Sequence, residues 1–166
     1  MFNGIKNKND TFTYYENLLI NERMDTSFLL EDISGNIRSL SDLRIGEPKL
    51  IFFIHQTHCS SCWGKAIETL IKEFPEIAKE DLIVCTSYQN FRDIVIPLKE
   101  LNLPSDVYNI IQGSFGKELE KLEVPCVITT DSSLLIKNIL IIDIDFIDKF
   151  KSYLRAFEER KEQLTN

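Results

Sequence analysis

Leu50-Ile51-Phe52-Phe53-Ile54-His55-Gln56-Thr57-His58-Cys59-Ser60-Ser61-Cys62-Trp63 decides the reading of this chain. Its first five residues are a continuous apolar run, the pattern of a strand buried on both faces. From Ser60 the period changes. Ala66, Leu70, Ile71 and Phe74 recur at helical spacing until Pro75 stops the helix. Cys59 and Cys62 therefore fall at the join between a buried strand and a helix. There, unpaired backbone N–H groups and the positive end of the helix dipole favour an anion, so a thiol ionises more readily. The thiolate is the nucleophile of disulfide exchange. A second cysteine one turn inward can close on the mixed disulfide and release a reduced partner. Cys59 is expected to attack and Cys62 to resolve.

Working outward, the elements alternate. Residues 11–21 carry the lopsided apolar face of a short helix, in an N-terminal arm spanning 1–25. Residues 27–31 and 37–40 read as two strands joined by the turn residues Asp32-Ile33-Ser34-Gly35-Asn36, a β-hairpin. Ser41-Asp42-Leu43 is one helical turn, and Glu47-Pro48 breaks the chain before the apolar strand. After the cysteine-bearing helix come a strand over 81–87 and a helix over 91–101, with Pro97 expected to kink or break it. A short strand over 107–111, a short helix over 114–122, a hairpin of 124–129 with 134–142, and an amphipathic helix over 146–164 complete the order. The expectation is one α/β domain over 26–166, a central mixed β-sheet flanked by helices with the N-terminal hairpin as an extension.

Composition narrows the function classes. The 166 residues include 19 basic and 26 acidic side chains, a net charge of −7, which disfavours phosphate backbones and anionic lipid surfaces. No nucleic-acid partner is expected, and a monomer is. No signal-peptide pattern or membrane-span run is present. This leaves two settings: a cytoplasmic protein, or a periplasmic or membrane-anchored extracytoplasmic one whose N-terminal anchor lies outside this chain. Four cysteines are too few for a disulfide scaffold, and the close pair suggests a working couple.

The same residues admit other chemistry. Tetrahedral zinc wants a second ligand pair, and His55, His58, Cys85 and Cys126 lack the spacing, so no metal is expected. A peroxidase of the peroxiredoxin type would need Pro-x-x-x-Thr/Ser-x-x-Cys. The segment ending at Cys59 has no proline, and Gln56 stands where the hydroxyl belongs. Copper delivery on the same fold, with a histidine downstream of the cysteines, is disfavoured because both histidines precede the pair. A non-enzymatic adaptor remains the alternative if the pair is unreactive. Cys85 reads as an inert core residue and His55 as a structural histidine.

Taken in order, Phe28-Leu29-Leu30-Glu31-Asp32-Ile33-Ser34-Gly35-Asn36, Ser39-Leu40-Ser41-Asp42-Leu43, the strand at 50–54, Cys59-Ser60-Ser61-Cys62-Trp63 and Val124-Pro125-Cys126-Val127-Ile128-Thr129-Thr130-Asp131 resemble the TlpA/ResA-type thiol–disulfide oxidoreductases of the thioredoxin superfamily. The resemblance runs from about Phe28 to the closing helix. It implies a thioredoxin-like fold and disulfide exchange with protein partners, of reductase type and serving electron transport. It implies no cofactor beyond the dithiol itself. It makes Cys59 the attacking and Cys62 the resolving thiol, and Pro125 a cis-proline facing them. Val124 would then offer its backbone to an extended partner, as in β-augmentation. Trp63 would pack beside the site or help a partner dock, and His58 and Cys126 are candidate modulators, His58 through a positive charge beside the thiolate. The chain departs from the family at His58 (usually Trp), Ser60-Ser61 (usually containing proline), Lys65 (usually acidic), Ile67 (usually proline) and Cys126 (usually Thr).

Overall fold

The structure is a computed structural model that describes residues 8–24, 29–44, 49–113, 123–131 and 133–165. The expected helix over 114–122, the Glu47-Pro48 break and the first positions of the expected strand at 27–31 lie outside the described residues.

The apolar run forms strand β3 (Leu50–His55), and its side chains are buried on both faces of the sheet. With α1 (Lys8–Leu19), β1 (Leu29–Asp32) and β2 (Ile37–Ser39) before it, β3 leads into α2 (Ser60–Glu73), β4 (Leu82–Ser87), α3 (Arg92–Glu100) and β5 (Val107–Gln112). Strands β6 (Cys126–Thr130) and β7 (Ile136–Ile141) and helix α4 (Ile147–Thr165) follow. One seven-stranded sheet runs in the order β2-β1-β5-β4-β3-β6-β7. β3 is parallel to β4 on one side and antiparallel to β6 on the other, so its backbone is paired along both edges. The mixed sheet with flanking helices is the expected class, and the hairpin extends it by pairing β1 antiparallel to β5.

Alternating side chains divide the core. Phe52 and Ile54 of β3, Val84 of β4 and Val127 of β6 pack under α2, α3 and α4, including Ala66, Leu70, Ile94, Phe150 and Leu154. Ile51 and Phe53, with Cys85, Cys126 and Ile141, face the opposite way and meet Phe12 and Leu19 of α1. Residues with period two on each strand thus go to different layers, as the pleat requires.

Among the differences from expectation, three have a clear local reason. α3 is not broken at Pro97; it continues to Glu100, with Ile94, Val95 and Leu98 buried against the sheet on both sides of the proline. That burial outweighs the one helical hydrogen bond proline cannot donate. β6 begins at Cys126, two residues later than expected, because Pro125 has no N–H for the ladder. Between α2 and β4 the chain makes a π-type turn (Ile77–Asp81). It buries Asp81, whose carboxylate takes two hydrogen bonds from Lys161 of α4 at 2.7 and 2.9 Å.

The outer edge of β7 is covered by the N-terminal arm. The Glu16 carboxylate accepts the Ile141 N–H at 3.0 Å and pairs with Lys149 at 3.1 Å. Beyond it, Asn21 donates to the Ile136 carbonyl, Met24 to the Leu134 carbonyl, and Ile136 to the Glu22 carbonyl. An edge strand with unpaired N–H and C=O groups is open to unwanted pairing, and this arm closes it.

Candidate active site

β3 ends at His55, and the four residues before α2 form a tightly bonded loop. The His58 N–H donates to the His55 carbonyl at 2.8 Å, and the Gln56 N–H to the Ser87 carbonyl at 3.1 Å. The His55 N–H donates to Nδ1 of His58 at 2.9 Å. The His58 ring is buried edge-on against Phe53, with centroids 5.5 Å apart. An Nδ1 that accepts a hydrogen bond carries no proton, so in this arrangement the ring is neutral. The positive charge beside the thiolate, anticipated from sequence adjacency, is therefore not supplied by His58 as placed here. Its contact is one of packing and loop shape.

Cys59 is the residue immediately before α2. Its N–H donates to the carbonyl of Glu123 at 2.7 Å, which brings the Glu123-Val124-Pro125 segment against the cysteine pair. Val124 is buried, and its backbone makes no hydrogen bond among the described residues. Pro125 is buried as well, and its carbonyl accepts the Ile142 N–H at 2.8 Å.

The two thiols, both free, sit in opposite environments. Cys59 is half-buried, with its sulfur 3.1 Å from the Ser61 hydroxyl. Burial pushes its pKa up, but hydrogen bonds from the Cys62 thiol, the Ser61 hydroxyl and the N–H groups of both residues outweigh that, and the net value falls below the ordinary one. Cys62 is 3% exposed. Burial first, then its hydrogen bond to Cys59 and the negative charges of Cys59 and Asp143, push its pKa up to about 11; the Ile144 N–H acts in the opposite sense. One thiol is poised to ionise and the other is held protonated.

Asp143 is the residue the sequence reading missed. It is 2% exposed, follows β7, and its carboxylate accepts the Asp145 N–H at 2.9 Å. In sequence it looks like an ordinary helix-capping aspartate before α4. Only the Ile142–Pro125 hydrogen bond and the packing of the short turn Ile144–Phe146 on α2 place it by Cys62.

The remaining candidates are all buried. Trp63 is 7% exposed and packs in the helix-side core with Ala66 and Ile67, so its indole is not offered to a partner surface. Cys126 is in the opposite layer from Trp63, in the same cluster as Cys62 and with Cys59 packed against that cluster; it stands opposite Phe53 in the β3–β6 register, and burial pushes its thiol far up. Cys85 is equally enclosed, in the middle of β4.

This architecture is the thioredoxin-like fold. No protein-family model matches the sequence, and no curated protein is similar to it. Among solved structures, a Bacteroides thetaiotaomicron protein assigned as a protein disulfide isomerase superposes with a TM-score of 0.60 at 15% identity, over 84% of this chain and 88% of that one. A Chlorobium tepidum protein assigned as the thiol:disulfide interchange protein DsbE gives 0.57 at 13% identity, over 83% and 97%. The peroxidoxin BcpB of Mycobacterium tuberculosis gives 0.54 at 23% identity, over 81% and 97%. The fold thus hosts both disulfide-exchange and peroxidase proteins, and the choice between them has to come from the site.

Proposed function

We propose that this chain is a thiol–disulfide oxidoreductase acting on protein partners, in which Cys59 attacks and Cys62 resolves. The opposite treatment of the two thiols carries this reading: an accessible sulfur with its pKa lowered at a helix start, and a buried one raised to about 11 one turn behind it. In the first step the Cys59 thiolate attacks a partner disulfide. A Cys59–partner bond forms, the partner S–S bond breaks, and one partner thiolate leaves. In the second step Cys62 loses its proton and attacks Cys59. The Cys59–Cys62 bond forms and the second partner thiolate leaves, so the partner gains two electrons and the chain loses two. Val124, whose backbone makes no hydrogen bond among the described residues and which follows the Glu123 carbonyl bonded to Cys59, supports a docking role in which an extended partner segment adds there as a strand would. The dithiol is the only redox group this chemistry requires.

On this reading the protein works as a reductant of protein disulfides, in an extracytoplasmic setting. The resemblance to TlpA/ResA-type proteins and the structural likeness to the Chlorobium tepidum DsbE-type protein support both statements. A peroxidase reading is disfavoured by Gln56, which stands in an exposed loop where that chemistry uses a hydroxyl beside the sulfur.

Thiol counting on the purified protein provides the test. Mild oxidation should remove two thiols per chain, and Cys59→Ser or Cys62→Ser should each abolish that loss. Cys62→Ser should accumulate a mixed disulfide with a disulfide-bonded protein such as oxidised insulin, while Cys59→Ser should trap little. Two-thiol loss that survives both substitutions would overturn the proposal.

A further inference from the structure

We propose that the Ser61 hydroxyl is a working part of the redox centre: it donates a hydrogen bond to the Cys59 sulfur, holds the attacking thiolate, and makes the Cys59–Cys62 pair more oxidising. This deepens the exchange reading above and rests on it.

The geometry is direct. Ser61 lies in the first turn of α2, two residues beyond Cys59, and its Oγ stands 3.1 Å from the Cys59 sulfur. Either atom can donate while Cys59 is a thiol. Once Cys59 has ionised it has no proton, so the hydroxyl is the donor, and a hydrogen bond to a charged acceptor is about twice as strong as a neutral one. Ser61 is solvent-exposed, so packing does not dictate a serine at this position. Ser60, its exposed neighbour, makes no contact with the sulfur among the described residues and serves as an internal control.

The consequence for redox poise follows from which state the bond can serve. The thiolate exists only in the reduced form; the disulfide sulfur carries no charge and gives the hydroxyl little to hold. A contact that stabilises only the reduced form shifts the couple toward reduction, so the pair takes electrons from a partner more readily than it would without the hydroxyl. The burial of Cys62 cannot substitute for this, because it acts on the other sulfur.

The effect must also depend on pH, and this separates it from a merely structural one. Well below the Cys59 pKa the reduced form is a neutral thiol in every variant, so the potentials should coincide. Above it the thiolate is populated, and the full difference appears.

Two measurements on the full chain test the proposal. Reduction potentials against a glutathione buffer should agree for wild type and Ser61→Ala at pH 5. At pH 9.5 Ser61→Ala should be more negative by about 15–30 mV, the equivalent of a three- to tenfold change in the thiol–disulfide equilibrium. Alkylation of Cys59 at pH 6.5 should slow about two- to threefold in the same variant, because the loss of thiolate is partly offset by the greater reactivity of a more basic sulfur. Ser61→Thr, which keeps the hydroxyl, should behave as wild type, and so should Ser60→Ala. Coincident potentials at both pH values with unchanged alkylation, an equal shift in Ser60→Ala, or a gap already complete at pH 5 would each overturn the proposal. If wild type forms no Cys59–Cys62 disulfide at all, the exchange reading fails. The alkylation rates would still report whether Ser61 acts on Cys59.

Discussion

The sharpest expectation concerns how differently the two thiols react, and how removing one changes the other. With a pKa of about 11, Cys62 is a thiolate in about one molecule in ten thousand at pH 7. Cys59 lies below the ordinary cysteine value of 9.0, so its thiolate fraction exceeds about one in a hundred. The ratio of fractions is therefore at least about a hundredfold in favour of Cys59. The less basic sulfur is also the weaker nucleophile, which returns about a factor of ten over two pKa units. Cys59 should thus be alkylated at least about ten times faster at pH 7, before the burial of Cys62 slows it further. Raising the pH should narrow the gap. Cys59 saturates once its own pKa is passed, whereas Cys62 gains tenfold per unit up to about 11. Cys59→Ser removes the negative charge of the Cys59 thiolate, which is among the causes holding Cys62 up, so Cys62 in that variant should label faster than Cys62 in wild type. A short iodoacetamide pulse followed by peptide mass mapping reads all of this. Equal labelling of Cys62 and Cys59 at pH 7, or first labelling of Cys126, would refute the assignment of roles.

Other expectations are simpler. Asp143→Asn removes a negative charge that raises Cys62 while keeping an oxygen for the Asp145 N–H, so the alkylation midpoint of Cys62 should move to lower pH; an unchanged midpoint would show that the carboxylate does not act on that sulfur. Glu16→Ala leaves the Ile141 N–H on the β7 edge without its acceptor and should cost about 1–3 kcal/mol in urea unfolding, with the half-exposed Lys149 pair adding little. A loss under about 0.5 kcal/mol would mean water replaces the carboxylate freely. Lys161→Met leaves the buried Asp81 carboxylate without the ammonium that donates to both of its oxygens, so stability at pH 7 should fall by about 1–3 kcal/mol in urea unfolding. A loss under about 0.5 kcal/mol would mean that the carboxylate is satisfied without the lysine.

The site's skeleton was legible because it is local. A five-residue apolar run, an abrupt change of period and two cysteines three apart place strand, loop and helix start within a single stretch of chain. The hairpin turn was legible for the same reason: the Asp32 carboxylate takes the N–H groups of Ser34 and Asn36 at 2.8 and 3.0 Å, chemistry that turn residues announce. What escaped is tertiary. Nothing near Asp143 in the sequence says that it ends up buried by Cys62, since a residue 81 positions earlier supplies the contact. Adjacency suggested a charged His58, but the ring turns inward to accept the His55 N–H. Pro97 was weighed by local propensity alone, and the sheet beneath α3 decided otherwise.

The arm that covers β7 also gives the molecule an assembly schedule. Glu16 and the Ile141 N–H it holds are 125 positions apart in the chain. At synthesis rates of about 5–20 residues per second, roughly 6–25 s separate the emergence of the two groups. Through that interval the apolar face of α1, with Phe12 and Leu19, has no β7 to dock on. The contact order of this pairing is among the longest the fold contains, and long-range closure is slow because the loop entropy is lost before the contact forms. Helix α1 therefore leaves the ribosome well before the strand it docks on and is among the last pieces to find its place, and a nascent chain held at residue 130 would carry it without that partner.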